Sequence, residues 1–295
     1  MLTVSEYCVL ASIVAVILAL LCYVLVFASV RVARGRTALA GGRSGGGGAT
    51  VTIVRDDEGS AGLGAFADLT AWLALAFLTV ALITRTIATG HGPFANMYEF
   101  LIAFGWGTLA VYLYFQHRYR LRALAVIVLP IALALLAYAT TIPDTAAPLV
   151  PALQNNLLLT VHVAVAIIAY GAFAVAFAAA FLFMIQPRGG SSRLPAPELL
   201  DEISYRSVLI GFPFLTLTIV LGALWAEVAW GKYWSWDPKE TASLVTWLIC
   251  GAYLHARVVR GWRGDRAAWL LVAVFVATLF TFFGNYFFGG LHSYS

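Results

Sequence analysis

This chain is organised around one stretch, Trp230-Gly231-Lys232-Tyr233-Trp234-Ser235-Trp236-Asp237-Pro238-Lys239-Glu240-Thr241. Membrane loops usually place single Trp or Tyr residues at the headgroup level as anchors, whereas the aromatic residues here are dense enough to form a continuous surface. Such a surface suits a flat, conjugated ligand. The Asp-Pro-Lys-Glu run predicts a helix start, because Asp accepts an amide of the first turn, Pro tolerates that position and Glu bonds back. The sequence therefore predicts an aromatic surface fixed to the beginning of a helix.

The composition is that of an integral membrane protein. Hydrophobic residues make up 62% of the 295 residues and charged residues only 11%, and the mean hydropathy is +0.88. A membrane-spanning helix needs about 20 apolar residues. The expected fold class is therefore all-α, a polytopic membrane protein with about eight transmembrane helices, near residues 7–30, 66–87, 97–115, 122–141, 157–185, 208–229, 241–257 and 267–288.

The basic residues predict the orientation, since Lys and Arg are retained on the cytoplasmic side of a membrane. Their distribution places both termini and the aromatic stretch outside the cytoplasm, with only Arg85, Lys232 and Lys239 near that outer face. The net charge of +4 reflects this topology and gives no reason to invoke nucleic acid. The arginines after spans one, three, five and seven are Arg31, Arg34, Arg36, Arg43, Arg55, Arg118, Arg120, Arg122, Arg188, Arg193, Arg206, Arg257, Arg260, Arg263 and Arg266.

The chain divides into three parts by composition. Residues 1–34 hold the first transmembrane span, and residues 35–62 are too rich in Gly and acidic residues to bury much surface, which predicts a flexible cytoplasmic linker. Residues 63–295 form the expected seven-span core, which carries the tryptophan motif, defined here as residues 225–241.

The three cysteines indicate neither a disulfide framework nor a zinc site. Cys8, Cys22 and Cys250 all lie within apolar runs and none belongs to a CxxC pair. There is no CxxCH sequence either, so the chain is not expected to be a c-type cytochrome itself.

The tryptophan motif resembles the "WWD" signature of the haem-handling proteins of cytochrome c biogenesis. It is most similar to the CcsA (ResC) type of subunit in system II cytochrome c synthases, although Ala242 stands where that family usually carries a further Trp. The resemblance covers most of the chain beyond residue 70. It extends to Gly90-His91-x-Pro93-x-x-Asn96-x-Tyr98-Glu99, Leu159-x-x-His162-Val163, Tyr253-Leu254-His255-x-Arg257 and Gly290-Leu291-His292-Ser293.

Two histidines fall at the same edge of the bundle as the tryptophan motif. His162 and His292 are expected to flank the aromatic surface at that edge. Such a pair could ligate a haem, because a haem iron can take two imidazoles on opposite faces. From the residues alone, interhelical hydrogen bonds are the alternative interpretation. The resemblance implies that both ligate haem at an external site. His117 lies beside Arg118 at the cytoplasmic border and is expected to be a solvated interface residue.

His255 indicates a second site. It follows Thr241 by about fourteen helical residues, roughly 20 Å at about 1.5 Å per residue, too far to share one iron with the other pair. The resemblance implies that His255 ligates a haem within the membrane, opposite a residue of a ResB-like (CcsB-like) partner subunit. The sequence leaves two roles possible for His91, positioning its loop or ligating iron. It also leaves two for Glu99, capping a helix end or taking part in the ligand site.

The resemblance implies the haem-delivering half of a holocytochrome c synthase, or haem lyase, in the plasma membrane. Its substrates are haem b, with iron ligated by His, and an apocytochrome c CxxCH sequence, and its partners are the ResB/CcsB-like subunit and the lipid bilayer. No separate catalytic residue is expected. Besides the histidines, the expected haem-binding residues are Trp225, Trp230, Tyr233, Trp234, Trp236, Asp237, Lys232 and Lys239.

Individual roles within this set follow from chemistry. Lys232, Lys239 or Arg85 could receive the anionic propionates by charge-assisted bonds. The main role expected for Asp237 is to cap a helix, and contact with the substrate is the secondary one. Two other classes of function are kept: a haem exporter or chaperone of the system I type, which shares the Trp motif, and a membrane b-type electron-transfer cytochrome, which holds bis-His haem between helices.

Overall fold

The computed structural model describes residues 1–40, 58–145, 156–187, 194–288 and 290. Within these ranges all regular structure is helical, and eight helices are long and apolar enough to cross a membrane. The predicted all-α, eight-span fold is thus confirmed. The helices are α1 Leu2–Ala40, α2 Glu58–Thr89, α3 Met97–Tyr119, α4 Ala125–Ala139, preceded by a 3-10 turn at Arg122–Leu124, α5 Asn156–Met184, α6 Pro197–Trp230, α7 Pro238–Val259 and α8 Asp265–Phe288.

Three helices extend well beyond the predicted spans, by eight or more residues at one end. α6 begins at Pro197, well before residue 208, because Pro197 and Glu198 suit a first helical turn although the charges that follow lower the hydropathy. α1 reaches Ala40 and α2 starts at Glu58, so both enter the stretch 35–62 predicted as a linker. The remainder of that stretch, residues 41–57, lies outside the described residues.

The helices run back and forth between two ends of the bundle. The tryptophan end carries the loops at residues 90–96 and 231–237, and the arginine end carries those at 120–121 and 260–264. α3 and α5 occupy the centre, with 72% of their most apolar windows buried, against 28% for α6 and α7. α1 packs on α2, α5 on α6 and α8, and α7 on α8. The tryptophan motif therefore joins two peripheral helices.

The first span packs closely on the second through small and hydroxylated residues. Ser5 Oγ donates to the Ala81 carbonyl at 2.9 Å and Ser12 Oγ to the Ala74 carbonyl at 3.0 Å. Both serines are fully buried. In a bilayer such hydroxyls must find a protein acceptor, and the helix backbone supplies one. α1 is therefore in direct contact with the core, and this contact runs along much of its length.

Two carboxylates bind arginines at the arginine end. Asp68 of α2 accepts from Arg122 Nη2 at 2.7 Å and from Tyr23 Oη of α1 at 2.8 Å. Asp201 of α6 forms a two-pronged pair with Arg257 of α7, at 2.7 Å and 2.6 Å. Bidentate pairs of this geometry are among the strongest polar contacts in proteins. Asp68 thereby links α2 to α1 and to the 3-10 turn before α4, and Asp201 links α6 to α7.

A buried ion pair links α2 to α3 at the tryptophan end. Arg85 of α2 and Glu99 of α3 lie 2.7 Å apart, with 0% and 1% of their side chains exposed. Glu99 Oε2 accepts from the Ala95 amide at 2.7 Å, and Arg85 Nη2 donates to the Asp144 carbonyl at 2.7 Å. Glu99 thus has the structural role that the sequence left open. Arg85, which the sequence offered beside Lys232 and Lys239 as a cation for the propionates, is instead fully buried and pairs with Glu99 inside the protein.

We expect Glu99→Gln to lower the amount of folded protein sharply. The substitution leaves the Arg85 charge buried without its counter-ion, and breaking one partner of a buried pair costs about 3–5 kcal/mol. The measurement is the detergent-extractable, monodisperse protein per unit of membrane.

The double variant Arg85→Met with Glu99→Met is the matched control. Replacing both charges by apolar side chains of similar size is often neutral, so the protein level should return towards that of the parent. Normal accumulation of Glu99→Gln alone would contradict the buried pair.

Candidate functional site

The tryptophan motif begins with the last turns of α6. Its backbone turns at Gly231, which has a φ of 71° and donates its N–H to the Glu227 carbonyl at 2.8 Å. Left-handed backbone of this kind closes helices at low cost only when the residue has no Cβ. The position of Gly231 therefore fixes where α6 stops and where the aromatic loop starts.

The start of α7 confirms the helix start predicted at Asp237. The Asp237 carboxylate accepts a hydrogen bond from the Lys239 amide at 2.9 Å, and Pro238 occupies the first helical position. The Glu240 carboxylate accepts one from the Asp237 amide at 3.2 Å. Glu240 also accepts the Ser235 amide at 2.8 Å. This capping box holds the loop against the helix, so the expectation that Asp237 caps a helix is confirmed.

Trp236 is held in a conformation that large side chains avoid. Its φ is 59°, and 69% of its surface is exposed. A left-handed conformation in a residue other than Gly costs of order 1–3 kcal/mol and persists only where its surroundings enforce it. Here the Trp236 carbonyl accepts from Thr241 Oγ1 at 3.3 Å, and the capped Asp237 follows directly. The loop therefore stores strain to present an indole at the surface.

The four tryptophans of the motif form two edge-on pairs. The Trp225 and Trp230 rings have centroids 4.8 Å apart at 74°, and the Trp234 and Trp236 rings 5.7 Å apart at 88°. Because the two rings of each pair are nearly perpendicular, the tryptophans do not form one flat, continuous surface. Trp225 is 2% exposed, whereas Trp236 is open. Within the described residues, the buried indole N–H of Trp234 has no hydrogen-bond partner.

His162 lies beside the first of these pairs. Its ring is nearly parallel to that of Trp225, at 12° and a centroid distance of 6.4 Å. Its Nδ1 is 2.9 Å from the Thr218 carbonyl of α6. Because a carbonyl only accepts, Nδ1 carries the proton, and in the neutral ring Nε2 then holds the lone pair. His162 is therefore fixed in the tautomer that metal-ligating histidines use.

The two lysines of the motif have different surroundings. Lys232 is exposed in the loop, as is Tyr233 at 58%. Lys239, in the first turn of α7, is half-buried, with its ammonium 5.3 Å from the centre of the Phe100 ring of α3. A cation over an aromatic face is held weakly and can still bind an anion. Phe100 was not predicted from the sequence, because only the tertiary fold brings α3 to α7.

His91 and the C-terminal residues complete the tryptophan end. His91 is 8% exposed, and its Nδ1 lies 2.8 Å from the carbonyl of the next residue, Gly92. His292 lies outside the described residues. Gly290, two residues before it, packs so closely on the Asp237 carboxylate that a Cβ there would overlap it, and the same Cβ would lie 3.2 Å from Pro238 Cδ. The last described residue is therefore in contact with the tryptophan motif.

His255 lies far from this group. It is exposed on α7, near the arginine end, two residues before the buried Arg257. It belongs to an outward-facing stripe at helical spacing, whose other members are Val245, Leu248, Ala252 and Val259. His117 is exposed in the last turn of α3, as expected for an interface residue. The structure thus separates His255 from His162 and presents it on the outer face of the bundle.

Comparisons with known proteins give a consistent picture. Residues 94–292 match the family profile described as cytochrome C assembly protein. The chain is 38% identical over 250 residues to the cytochrome c biogenesis protein CcsA of Guillardia theta, covering 75% of this chain and 83% of that protein. It is also 38% identical over 281 residues to CcsA of Microcystis aeruginosa, covering 75% and 85%.

The fold is shared with a solved structure. The structure named cytochrome c haem lyase CcmF matches with a TM-score of 0.62 at 22% identity. The match covers 96% of this chain and 46% of that one, so this chain spans about half its length. This likeness concerns the fold alone.

We expect Trp236→Gly to raise the thermal midpoint of the purified protein. Removing the Cβ relieves the left-handed strain, which is worth about 1–2 kcal/mol, and little packing is lost because the side chain is exposed. Trp234→Gly is the control, since Trp234 has an ordinary negative φ and Gly there should lower the midpoint. A lower midpoint for Trp236→Gly would show that its conformation is not strained.

Proposed function

Because this chain belongs to the cytochrome C assembly protein family, we propose that it is the haem-presenting subunit of a two-subunit holocytochrome c synthase. Haem b is its substrate, held at the tryptophan end with His162 and His292 as axial ligands. A ResB/CcsB-like membrane subunit completes the enzyme, and an apocytochrome c CxxCH sequence is the acceptor. The tryptophan end is then the extracytoplasmic face of the plasma membrane.

The observation that carries the proposal is the fixed imidazole of His162 beside the tryptophan motif. A backbone carbonyl holds Nδ1–H, so the lone pair is on Nε2, the usual arrangement for a metal-ligating histidine. The half-buried Trp230 ring, which packs edge-on against the buried Trp225, supplies apolar surface for a porphyrin. A histidine that only bridged two helices would not need this aromatic surface.

The second ligand, His292, is proposed from sequence and chain reach. Gly290 packs against Asp237 and Pro238 at the start of α7. Two further residues span at most about 7 Å of chain. His292 can therefore reach the tryptophan motif, and Asp237 contributes by capping α7 and by lying against Gly290.

Polar groups near the tryptophans suit the propionates of haem. The Lys239 ammonium lies over the Phe100 ring, and Lys232 is exposed. The indole N–H of Trp234, which has no partner in the described part of the chain, is a further donor. Carboxylates bind ammonium groups strongly where water is scarce. Trp236 and Tyr233 form the exposed rim over which the acceptor peptide approaches.

The reaction requires positioning and no separate acid, base or nucleophile from this chain. Each acceptor cysteine adds its S–H across a haem vinyl group, so that a C–S bond forms, the proton passes to the other vinyl carbon and nothing is oxidised. The acceptor histidine replaces one axial imidazole. Holding two partners in register can contribute about 7–11 kcal/mol to a barrier. His91, buried in the adjacent loop, is assigned to positioning that loop.

His255 is proposed as the ligand of a second haem position within the membrane. It lies on an otherwise apolar outer face of α7, where a single polar ring is costly unless a partner or ligand covers it. A helix of the ResB/CcsB-like subunit supplying the opposite ligand would cover this face. Haem would enter at this position and pass to the tryptophan end.

The rival functions make different predictions. An electron-transfer b-type cytochrome pairs histidines inside one bundle, yet His162 is half-buried at the tryptophan end and His255 faces outward. A haem exporter or chaperone of the system I type would load haem without attaching it. Copurification with a ResB-like subunit, and thioether formation on a CxxCH peptide by the pair, distinguish the synthase from both.

For the axial ligands, we expect His162→Ala and His292→Ala each to lose six-coordinate haem and synthase activity, and added imidazole to restore both. The open coordination position remains surrounded by the aromatic rings, so a small ligand can fill it. Measurements are the ferrous absorption spectrum and cytochrome c maturation. His91→Ala is the internal control, since a loop residue leaves no hole at iron; imidazole rescue of that variant alone would show that the pair was wrongly chosen.

For the second position, we expect His255→Ala to lower haem at both positions while leaving the protein level unchanged, because the side chain is exposed and makes no described contact that supports the fold. Total haem is measured by the pyridine haemochrome assay on the complex with its partner. His117→Ala, also exposed at the arginine end, is the matched control and should be silent. Full haem in His255→Ala would remove the second position from the pathway.

A further inference from the structure

The imidazole of His162 reaches a carbonyl that helix geometry normally covers. Thr218 lies within α6, where its carbonyl points along the helix towards residue 222. Side chains in a helix tilt towards its N-terminus, so the side chain at position i+4 lies over the carbonyl of residue i. A neighbouring helix can reach such a carbonyl from the side only where that side chain is small.

Position 222 is a glycine, and its missing Cβ leaves the space that the imidazole occupies. A Cβ built on Gly222 would lie 2.8 Å from Cε1 and 3.3 Å from Nδ1 of His162, and its three nearest atoms all belong to that ring. Real Cβ atoms essentially never approach so closely, so any larger residue must displace the ring. The overlapping group is the end of a side chain and not backbone, which means that His162 would move while α5 and α6 stay in place.

We propose that Gly222 and the Thr218 carbonyl are the positioning residues for the His162 imidazole. Together they fix its tautomer and its ring plane beside Trp225. This inference rests on the proposed function, because it assigns to α6 the orientation of an iron ligand supplied by α5.

The hydrogen bond also has an electronic consequence. A carbonyl that accepts Nδ1–H makes the imidazole more basic at Nε2 and strengthens its bond to a metal. The Thr218 carbonyl can accept this proton and a helical N–H together, since it has two lone pairs. Second-shell partners of this kind typically change metal affinity by about 10–100-fold when they are removed. A glycine in an apolar helix thereby controls how tightly the substrate iron is held.

The test compares two glycine substitutions in the same helix. Gly222→Ala should accumulate like the parent but retain about tenfold less haem, with the remaining haem partly five-coordinate and restored to six-coordinate by added imidazole. Gly211→Ala is the matched control, because its Cβ would meet the Phe173 ring across the same α5–α6 interface but far from His162. Gly211→Ala should leave the haem spectrum unchanged.

Each outcome bears on one claim. A parental spectrum in Gly222→Ala, or the same spectral change in Gly211→Ala, overturns the positioning role. If Gly222→Ala reduces the protein level, adding His162→Ala should restore that level by removing the overlapping ring, and failure to do so assigns Gly222 to general helix packing and overturns the inference. A normal haem content in the single variant His162→Ala refutes the proposed function. If His162→Ala loses haem but Gly222→Ala keeps the parental haem spectrum, only the present inference is refuted.

Discussion

A bilayer offers no water to a polar group, and this constraint accounts for the arrangement of the described polar side chains. Buried charges pair with opposite charges on neighbouring helices, as Arg85 does with Glu99 and Arg257 with Asp201. Buried hydroxyls donate to helix carbonyls, as Ser5 does to Ala81. These three contacts each satisfy a polar group and also join two helices. Polar residues, although few, therefore determine which helices are neighbours at each end of the bundle.

The same constraint separates the two histidines that carry the proposed chemistry. His162 satisfies one ring nitrogen within the protein, on the Thr218 carbonyl, and is thereby held in one orientation. His255 faces outward on a peripheral helix with apolar neighbours. The His162 ring is thus oriented by this chain, whereas His255 is exposed on the outer face of the bundle. A division of this kind suits a protein that receives a ligand at one position and presents it at another.

Sequence reasoning succeeded where the signal is local. Hydropathy marks each span because every residue of a lipid-facing helix contributes to it, and the Asp237 cap is specified within four residues. It failed where partners are distant: Arg85 looked like a surface cation, and its pairing with Glu99 depends on how α2 and α3 meet. Gly222 could have been noticed, since an isolated Gly in an apolar helix often marks close approach, but no pattern indicates that His162 fills the space.

The capping box of α7 has a consequence for the order in which this region acquires its structure. Its hydrogen bonds join residues 235 to 241, so they form without bringing distant parts of the chain together. The bond between His162 and Thr218 links residues 56 apart in sequence and must await the docking of α5 on α6. Contacts of low sequence separation generally form first. The aromatic loop can thus exist before the geometry around His162 does, and a nascent chain acquires the oriented imidazole only once α5 and α6 have assembled.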